Sequence, residues 1–210
     1  MNPKRKIIVY IATSADGFIA RPDGSVDWLD RPSPPDFYGM ASFYKLIDTI
    51  LWGRKTYEVA LGFQKAGIEG SQFDAKIKNY VFSRKPLRRP APGVEPVSEP
   101  IASFAKRLRA TPGKDIWMMG GGGLIASFLD ESEIDEFMIH VIPTLIGEGI
   151  PLIAPRHGTV ELELLSTKSW PDGVVRLHYA VLPQKAGSSR KKSKRKTGRP
   201  KAAKKPRRKG

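Results

Sequence analysis

The chain has 210 residues, 36 Lys and Arg against 21 Asp and Glu, and no Cys. That is long enough for one domain with its own core, and it excludes a disulfide framework, a thiolate metal site and a cysteine nucleophile. The net charge of +15 is uneven: 14 of the 36 basic residues fall between Lys185 and Gly210, where there is no acid, so the first 184 residues are nearly neutral. Nucleic-acid-like basicity therefore belongs to a tail and says nothing about the body.

Lys4, Arg5 and Lys6 lead into the apolar run Ile7–Ala12, which stops at Ser14-Ala15-Asp16-Gly17. The run is too short for a secretion signal or a membrane span, so it predicts a buried strand over 7–13 in a cytoplasmic protein. Phe37, Met40, Phe43, Tyr44 and Ile47 recur at helical spacing and predict a helix over 36–47. A strand at 49–52 then runs into a helix starting near Arg54, and strands follow at 79–82 and 94–97. Ile101, Phe104, Ala105 and Leu108 mark a helix over 99–110, opening at Ser98 or Pro100. Next come a strand at 115–119, a helix at 123–130 and a strand at 136–142. Two last strands, 160–168 and 174–182, are joined across Trp170-Pro171-Asp172-Gly173, whose Asp-Gly pair suits a tight reversal. Strands alternating with helices predict an α/β fold with a mostly parallel sheet and an antiparallel finish. Residues 1–184 are expected to form this domain. From Lys185 to Gly210 apolar side chains vanish, so the segment cannot offset its ordering entropy and is expected to be a disordered tail.

Three places put backbone amides where a phosphate can sit. In Leu51-Trp52-Gly53-Arg54-Lys55-Thr56-Tyr57 a strand opens directly into a helix, whose unpaired amides and positive dipole end favour an anion. Tyr80-Val81-Phe82-Ser83-Arg84-Lys85 ends a strand in a hydroxyl and two cations. Met119-Gly120-Gly121-Gly122-Gly123-Leu124 offers four residues without Cβ, where a ligand or another backbone can approach closely. Each alone reads equally as a turn. Gly121-x-Gly123-x-x-Ala126 loosely fits the dinucleotide fingerprint, but that motif belongs at a first strand–helix turn with several units after it, and here one strand and a hairpin follow.

Taken together, Ser14–Ala20, Asp27-Trp28-Leu29, Asp48–Glu58, Met119–Gly122, Ile134–Phe137 and Val141–Ile153 resemble the dihydrofolate reductase-like superfamily over residues 6–182. Pro143-Thr144-Leu145-Ile146-Gly147-Glu148-Gly149 is similar in particular to the reductase domain of the riboflavin-biosynthesis deaminase/reductase. The resemblance implies a three-layer fold and an NADPH-dependent reductase acting on a small heterocyclic or sugar-linked substrate, with the aminouracil reductase of riboflavin biosynthesis as nearest type; the alternatives are dihydrofolate or pterin reduction, or a non-catalytic nucleic-acid-associated protein acting through its basic tail. It implies that Gly53, Arg54, Lys55 and Thr56 hold the cofactor phosphates and that Ser83 and Arg84 flank the adenosine 2′-phosphate. Gly120, Gly121, Gly122 and Gly123 are implied along the pyrophosphate and nicotinamide ribose. A 2′-phosphate dianion rewards paired cations, which Arg54, Lys55, Arg84 and Lys85 supply. A homodimer is also implied, with strand 136–142 and the Pro143–Pro151 segment as the place to look.

Hydride chemistry is the cofactor's, but a C=N acceptor also needs a proton. The resemblance points to an acid on the first helix, and the nearest is Asp36, which is equally placed to be an N-cap. Asp27 is the other candidate near the mouth, and Trp28 reads either as a pocket wall or as core cover. His140, His157 and His178 lie in separate elements without ligand spacing, so no metal is expected. The zinc deaminase signature needs Cys and cannot form, which leaves a reductase only. In the tail, Arg195, Lys196, Arg199 and Lys201 surround a Gly-Arg-Pro core similar to that of an AT-hook, and the tail is expected to bind nucleic acid without sequence preference.

Overall fold

The computed structural model describes residues 4–32, 34–67, 74, 76–156 and 158–183. His157 and the tail, with Arg195, Lys196, Arg199 and Lys201, lie outside the described residues.

The first strand, β1 (Ile7–Ser14), is apolar on both faces because it is covered on both. It runs parallel between β6 (Asp115–Gly120) and β7 (Glu136–Ile142), with Ile8 opposite Trp117 and Val9 opposite Phe137. Beyond β6 come β3 (Ile47–Gly53), β4 (Lys78–Phe82) and β5 (Val94–Val97), all parallel. Beyond β7, β10 (Val175–Val181) and β9 (Leu162–Ser169) add the antiparallel finish, so the order is β5-β4-β3-β6-β1-β7-β10-β9.

The period-2 alternation divides the core. On one face Val9, Leu51, Tyr80 and Met118 meet Phe104 and Leu108 of α3 (Ile101–Ala110) and Ile125 and Phe128 of α4 (Gly122–Asp130). On the other, Tyr10, Ile50, Trp52 and Trp117 meet Phe43 of α1 (Met40–Tyr44) and Tyr57 of α2 (Arg54–Lys65). The result is a three-layer α/β fold. Each fully buried aromatic or aliphatic side chain contributes on the order of 1.5–3 kcal/mol. The ends opposite the site are clamped by charge: buried Arg5 pairs with Asp48 and Arg109 reaches Asp135 at 2.6 Å.

Two local differences from the sequence expectation bear on function. The helix expected over 36–47 shrinks to α1 after a 3-10 turn at Phe37–Gly39, because Phe37, Tyr38 and Gly39 all take positive φ. Ile47, which seemed to extend the helical period, is already the first residue of β3 and is buried as such. Second, β2 (Phe18–Ala20) and β8 (Ile150–Pro151) pair antiparallel in a small separate sheet, each too short to show a sequence period. Among the described residues no helix is long and apolar enough to cross a membrane.

Candidate active site

The C-terminal ends of the parallel strands are where loops from neighbouring crossovers part and leave a crevice. Here β1, β3, β4 and β6 end on one open cleft of about 2080 Å³, against roughly 300–1,000 Å³ for a single small-ligand pocket. The three phosphate-like signals, far apart in sequence, converge on it: Gly53, Arg54, Lys55 and Thr56, then Ser83 and Arg84, then Gly121, Gly122 and Gly123 all line it.

Close contacts surround two of these glycines, Gly53 and Gly122. A Cβ on Gly53 would stand 3.1 Å from the Gly120 carbonyl oxygen and 3.2 Å from the Gly121 nitrogen, so the β3–α2 and β6–α4 turns touch main chain to main chain. Gly120 itself has φ +102° and is joined to Gly121 by a cis peptide; it is buried just behind the lining residues, beside Ile125 and Ile11. A Cβ on Gly122 would collide with the Pro151 carbonyl. The N-termini of α2 and α4 thus open side by side, each with amides that no helical carbonyl satisfies. Their cations differ in availability. Arg54 is tied along α2 to Glu58 at 2.7 Å, whereas the Lys55, Arg84 and Lys85 side chains have no ion-pair partner among the described residues. The Ser83 hydroxyl closes the turn after β4 onto the Lys85 carbonyl at 2.5 Å.

The other half of the cleft is aromatic, lined by Tyr10, Phe37, Tyr38, Met40, Trp117, Met119 and His140, with Arg31 at its edge. Tyr38 is its hub. The Tyr38 carbonyl accepts from the Tyr10 hydroxyl at 3.2 Å and lies 3.1 Å from Nε2 of His140, while the Tyr38 hydroxyl donates to Asp172 at 2.5 Å. Arg31 also donates to the Asp172 carbonyl at 2.8 Å and pairs with its carboxylate at 3.4 Å. Burial pushes His140 down to about 4, with Arg176 working the same way, so its imidazole is neutral. Burial likewise pushes the Tyr10 hydroxyl up to about 12. Tyr38 is raised by burial and by its bond to Asp172, whose own carboxyl that bond holds below the usual range. Around neutrality the aromatic half therefore carries protonated phenols and a neutral imidazole.

The three residues expected to be catalytic do not line this cleft. Asp36 turns outward to Lys168 at 3.3 Å and makes no capping bond, because the helix it was to begin is replaced by the 3-10 turn. Asp27 is held by Arg21 at 2.6 and 3.0 Å, away from the cleft. Trp28 is only 8% exposed and packs with Ile142, Trp170 and Val174, so it covers core. The carboxylates that do line the cleft are engaged: Glu58 with Arg54, Glu99 with Arg107, and Asp23 with the Ser25 amide at 2.8 Å. Asp16 braces a turn, accepting from the Ile146 and Gly147 amides. Sequence reading passed over Tyr10, Tyr38, Arg31 and Asp172 and considered His140 only as a metal ligand. A lone His inside the apolar run of strand 136–142 was the one available signal. Among the described residues no group of three or more acids and histidines is placed to hold a metal ion.

A family model described as the RibD C-terminal domain matches residues 100–176. An uncharacterized protein of Bacillus subtilis (strain 168), YwjB, is 38% identical over 177 residues, covering 84% of this chain and 98% of its own. Among solved structures, a candidate riboflavin biosynthesis protein from Shewanella sp. PV-4 superposes with a TM-score of 0.74 at 26% identity, over 85% of this chain and 99% of that one. The dihydrofolate reductase of Enterococcus faecalis, in complex with NADP(H), shares the fold at a TM-score of 0.59 and 14% identity, over 84% of this chain and 96% of that one.

Proposed function

The chain belongs to the RibD C-terminal domain family, and from that premise we propose that it is an NADPH-dependent reductase of a small heterocyclic substrate, of the kind that reduces an aminouracil in riboflavin biosynthesis. One observation carries this reading: three separate phosphate-like signals, with three cations that have no ion-pair partner among the described residues, meet in a single cleft whose other end is aromatic. The residues fit a dinucleotide. Two helix N-termini open on the cleft, and glycine lets main chain come close where a pyrophosphate would lie. The family match, and a structural neighbour of the same fold that holds NADP(H), support the reading.

In this proposal the α2 N-terminus with Lys55 and Thr56, and the Gly121–Gly123 turn, hold the diphosphate. Arg84 and Lys85 beside Ser83 take the 2′-phosphate, which distinguishes NADPH from NADH by charge pairing. When bound, the cofactor supplies hydride. The chain's part at the reacting end is to orient the substrate on the wall formed by Tyr10, Trp117 and Met119 and to keep that wall free of net charge. Every lining carboxylate has a partner, so the proton that follows hydride to a C=N bond comes from water, not from a side-chain acid. A homodimer belongs to the same proposal. Its support is not strand 136–142, where it was expected and which is paired on both sides by β1 and β10, but β9, a sheet edge that leaves Leu162, Leu164 and Leu165 exposed.

Calorimetric titration with NADPH and NADH tests the assignment. Micromolar NADPH binding, NADH weaker by roughly tenfold or more, and loss of that preference in Arg84→Ala are expected for one charge-assisted contact. Absence of binding by either nucleotide would overturn it.

A further inference from the structure

The aromatic half of the cleft says what the substrate lacks. Its one lining cation, Arg31, is already matched by Asp172, through both the backbone carbonyl at 2.8 Å and the carboxylate at 3.4 Å. The neighbouring basic side chains are engaged too: Arg21 with Asp27, and Lys168 with Asp36 and over the Trp170 ring at 4.6 Å. Arg176 sits behind His140 and Gly39 and does not line the cleft. A phosphate or carboxylate meeting Arg31 would have to displace Asp172, and such an exchange yields little, while Arg176, which has no ion pair among the described residues, stays behind Gly39 out of the cleft lining. The three lining cations without an ion-pair partner among the described residues, Lys55, Arg84 and Lys85, stand at the other half, on α2 and after β4.

What this half offers instead is flat apolar surface. Phe37 is 57% exposed on the cleft although it is a large aromatic, and both it and Tyr38 are held at positive φ, +45° and +57°, which costs bulky residues energy. The conformation is over-determined by the bonds that fix Tyr38 at both ends, to Tyr10 and His140 through its carbonyl and to Asp172 through its hydroxyl, with Trp170 edge-on at 5.4 Å. Fixing Tyr38 fixes its neighbour Phe37, which lines the same cleft as Leu29, Met40 and Trp117. The polar atoms within reach are the phenolic oxygens of Tyr10 and Tyr38, whose hydrogens go to the Tyr38 carbonyl and to Asp172, so each oxygen is left to accept from a ring N–H, while the His140 imidazole is spent on the protein itself.

We infer that the substrate is a planar, uncharged heterocycle recognised through its ring, with Phe37 as the stacking surface, and that a phosphate on the substrate adds no affinity. This rests on the reductase reading above and narrows it.

The test titrates the full chain with a ribosylaminouracil and with its 5′-phosphate, both with and without saturating NADP⁺, so that the nucleotide site and the ring site are read separately. The expected result is that the two forms bind within about threefold of each other, with little change on raising salt, since no new ion pair is made. Phe37→Ala should weaken both roughly tenfold, the scale of one aromatic contact, while NADP⁺ affinity is unchanged. Phosphate-dependent tightening of about tenfold or more, abolished in Arg31→Ala, would overturn the inference. So would binding of neither form, or indifference to Phe37→Ala. Failure of NADP⁺ to bind would overturn the reductase reading alone, since the ring titrations without nucleotide still decide this one.

Discussion

The hydroxyl of Tyr38 reaches the carboxylate of Asp172 across 2.5 Å and 134 residues of sequence. The bond ties a residue in left-handed conformation at the cleft to the turn of the last hairpin, so the shape of the aromatic half depends on a turn that does not itself line it. In Tyr38→Phe that tie is lost while the ring contact with Trp170 is kept. The KM for a heterocyclic substrate should rise roughly three- to tenfold, the worth of one hydrogen bond, with NADPH affinity unchanged. Equal losses on both ligands would mean that the bond supports the fold as a whole.

His140 gives a pH dependence with a definite sign. Its folded pKa lies near 4, below the ordinary 6.5, so between those values the unfolded chain binds more protons than the folded one. Stability is therefore full above pH 6.5 and is lost as pH falls toward 4, by on the order of 1–3 kcal/mol. Urea unfolding of His140→Gln against the parent at pH 7 and 4.5 checks this. The variant should lose the part of the acid slope that His140 supplies.

Gly53→Ala and Gly123→Ala should act oppositely. Gly53 has φ −74°, which alanine accepts, so any damage comes from the Cβ meeting the Gly120–Gly121 backbone. A loss of about 1–3 kcal/mol and weaker nucleotide binding are expected from that overpacking. A Cβ on Gly123 has no atom within 4 Å and sits in the first turn of α4, where alanine favours the helix by up to about 1 kcal/mol. Thermal unfolding of the two variants reads the difference directly.

Truncation after Pro183 separates the domain from the tail. The shortened chain should bind NADPH as the full chain does and lose affinity for duplex DNA or RNA. In the full chain that affinity should fall steeply between about 50 and 200 mM salt, as expected for many phosphate contacts. Electrophoretic mobility shifts at the two salt concentrations give the answer.

The sheet was legible because two-sided burial and strict alternation leave their mark within a few residues: eight strands were read from sequence, and the hairpin from Asp172-Gly173. The nucleotide half was legible for a related reason. Gly53 and Gly120–Gly123 stand at strand–helix junctions, where a missing side chain is itself the signal. The aromatic half was hidden. Phe37 and Tyr38 continue a helical spacing that their own positive φ values interrupt, and nothing local forecasts it. The bonds that hold Tyr38 come from Tyr10, His140 and Asp172, on three other elements, so neither a window nor a motif contains them. The carboxylates chosen instead were near in sequence and turned to Lys168 and Arg21 in space.

The contact between the Gly53 and Gly120–Gly121 backbones has a consequence for how such a protein can change. Where main chain meets main chain, no rotamer has to be chosen and a side chain has little room, so that part of the cleft is set before ligand arrives. The opposite wall is made of side chains, from Tyr10 and Trp117 on the sheet to Phe37 and Tyr38 on the turn before α1. Substitutions on that face can therefore reshape what is recognised without disturbing the backbone contact across the cleft, so the two halves are separable targets for change.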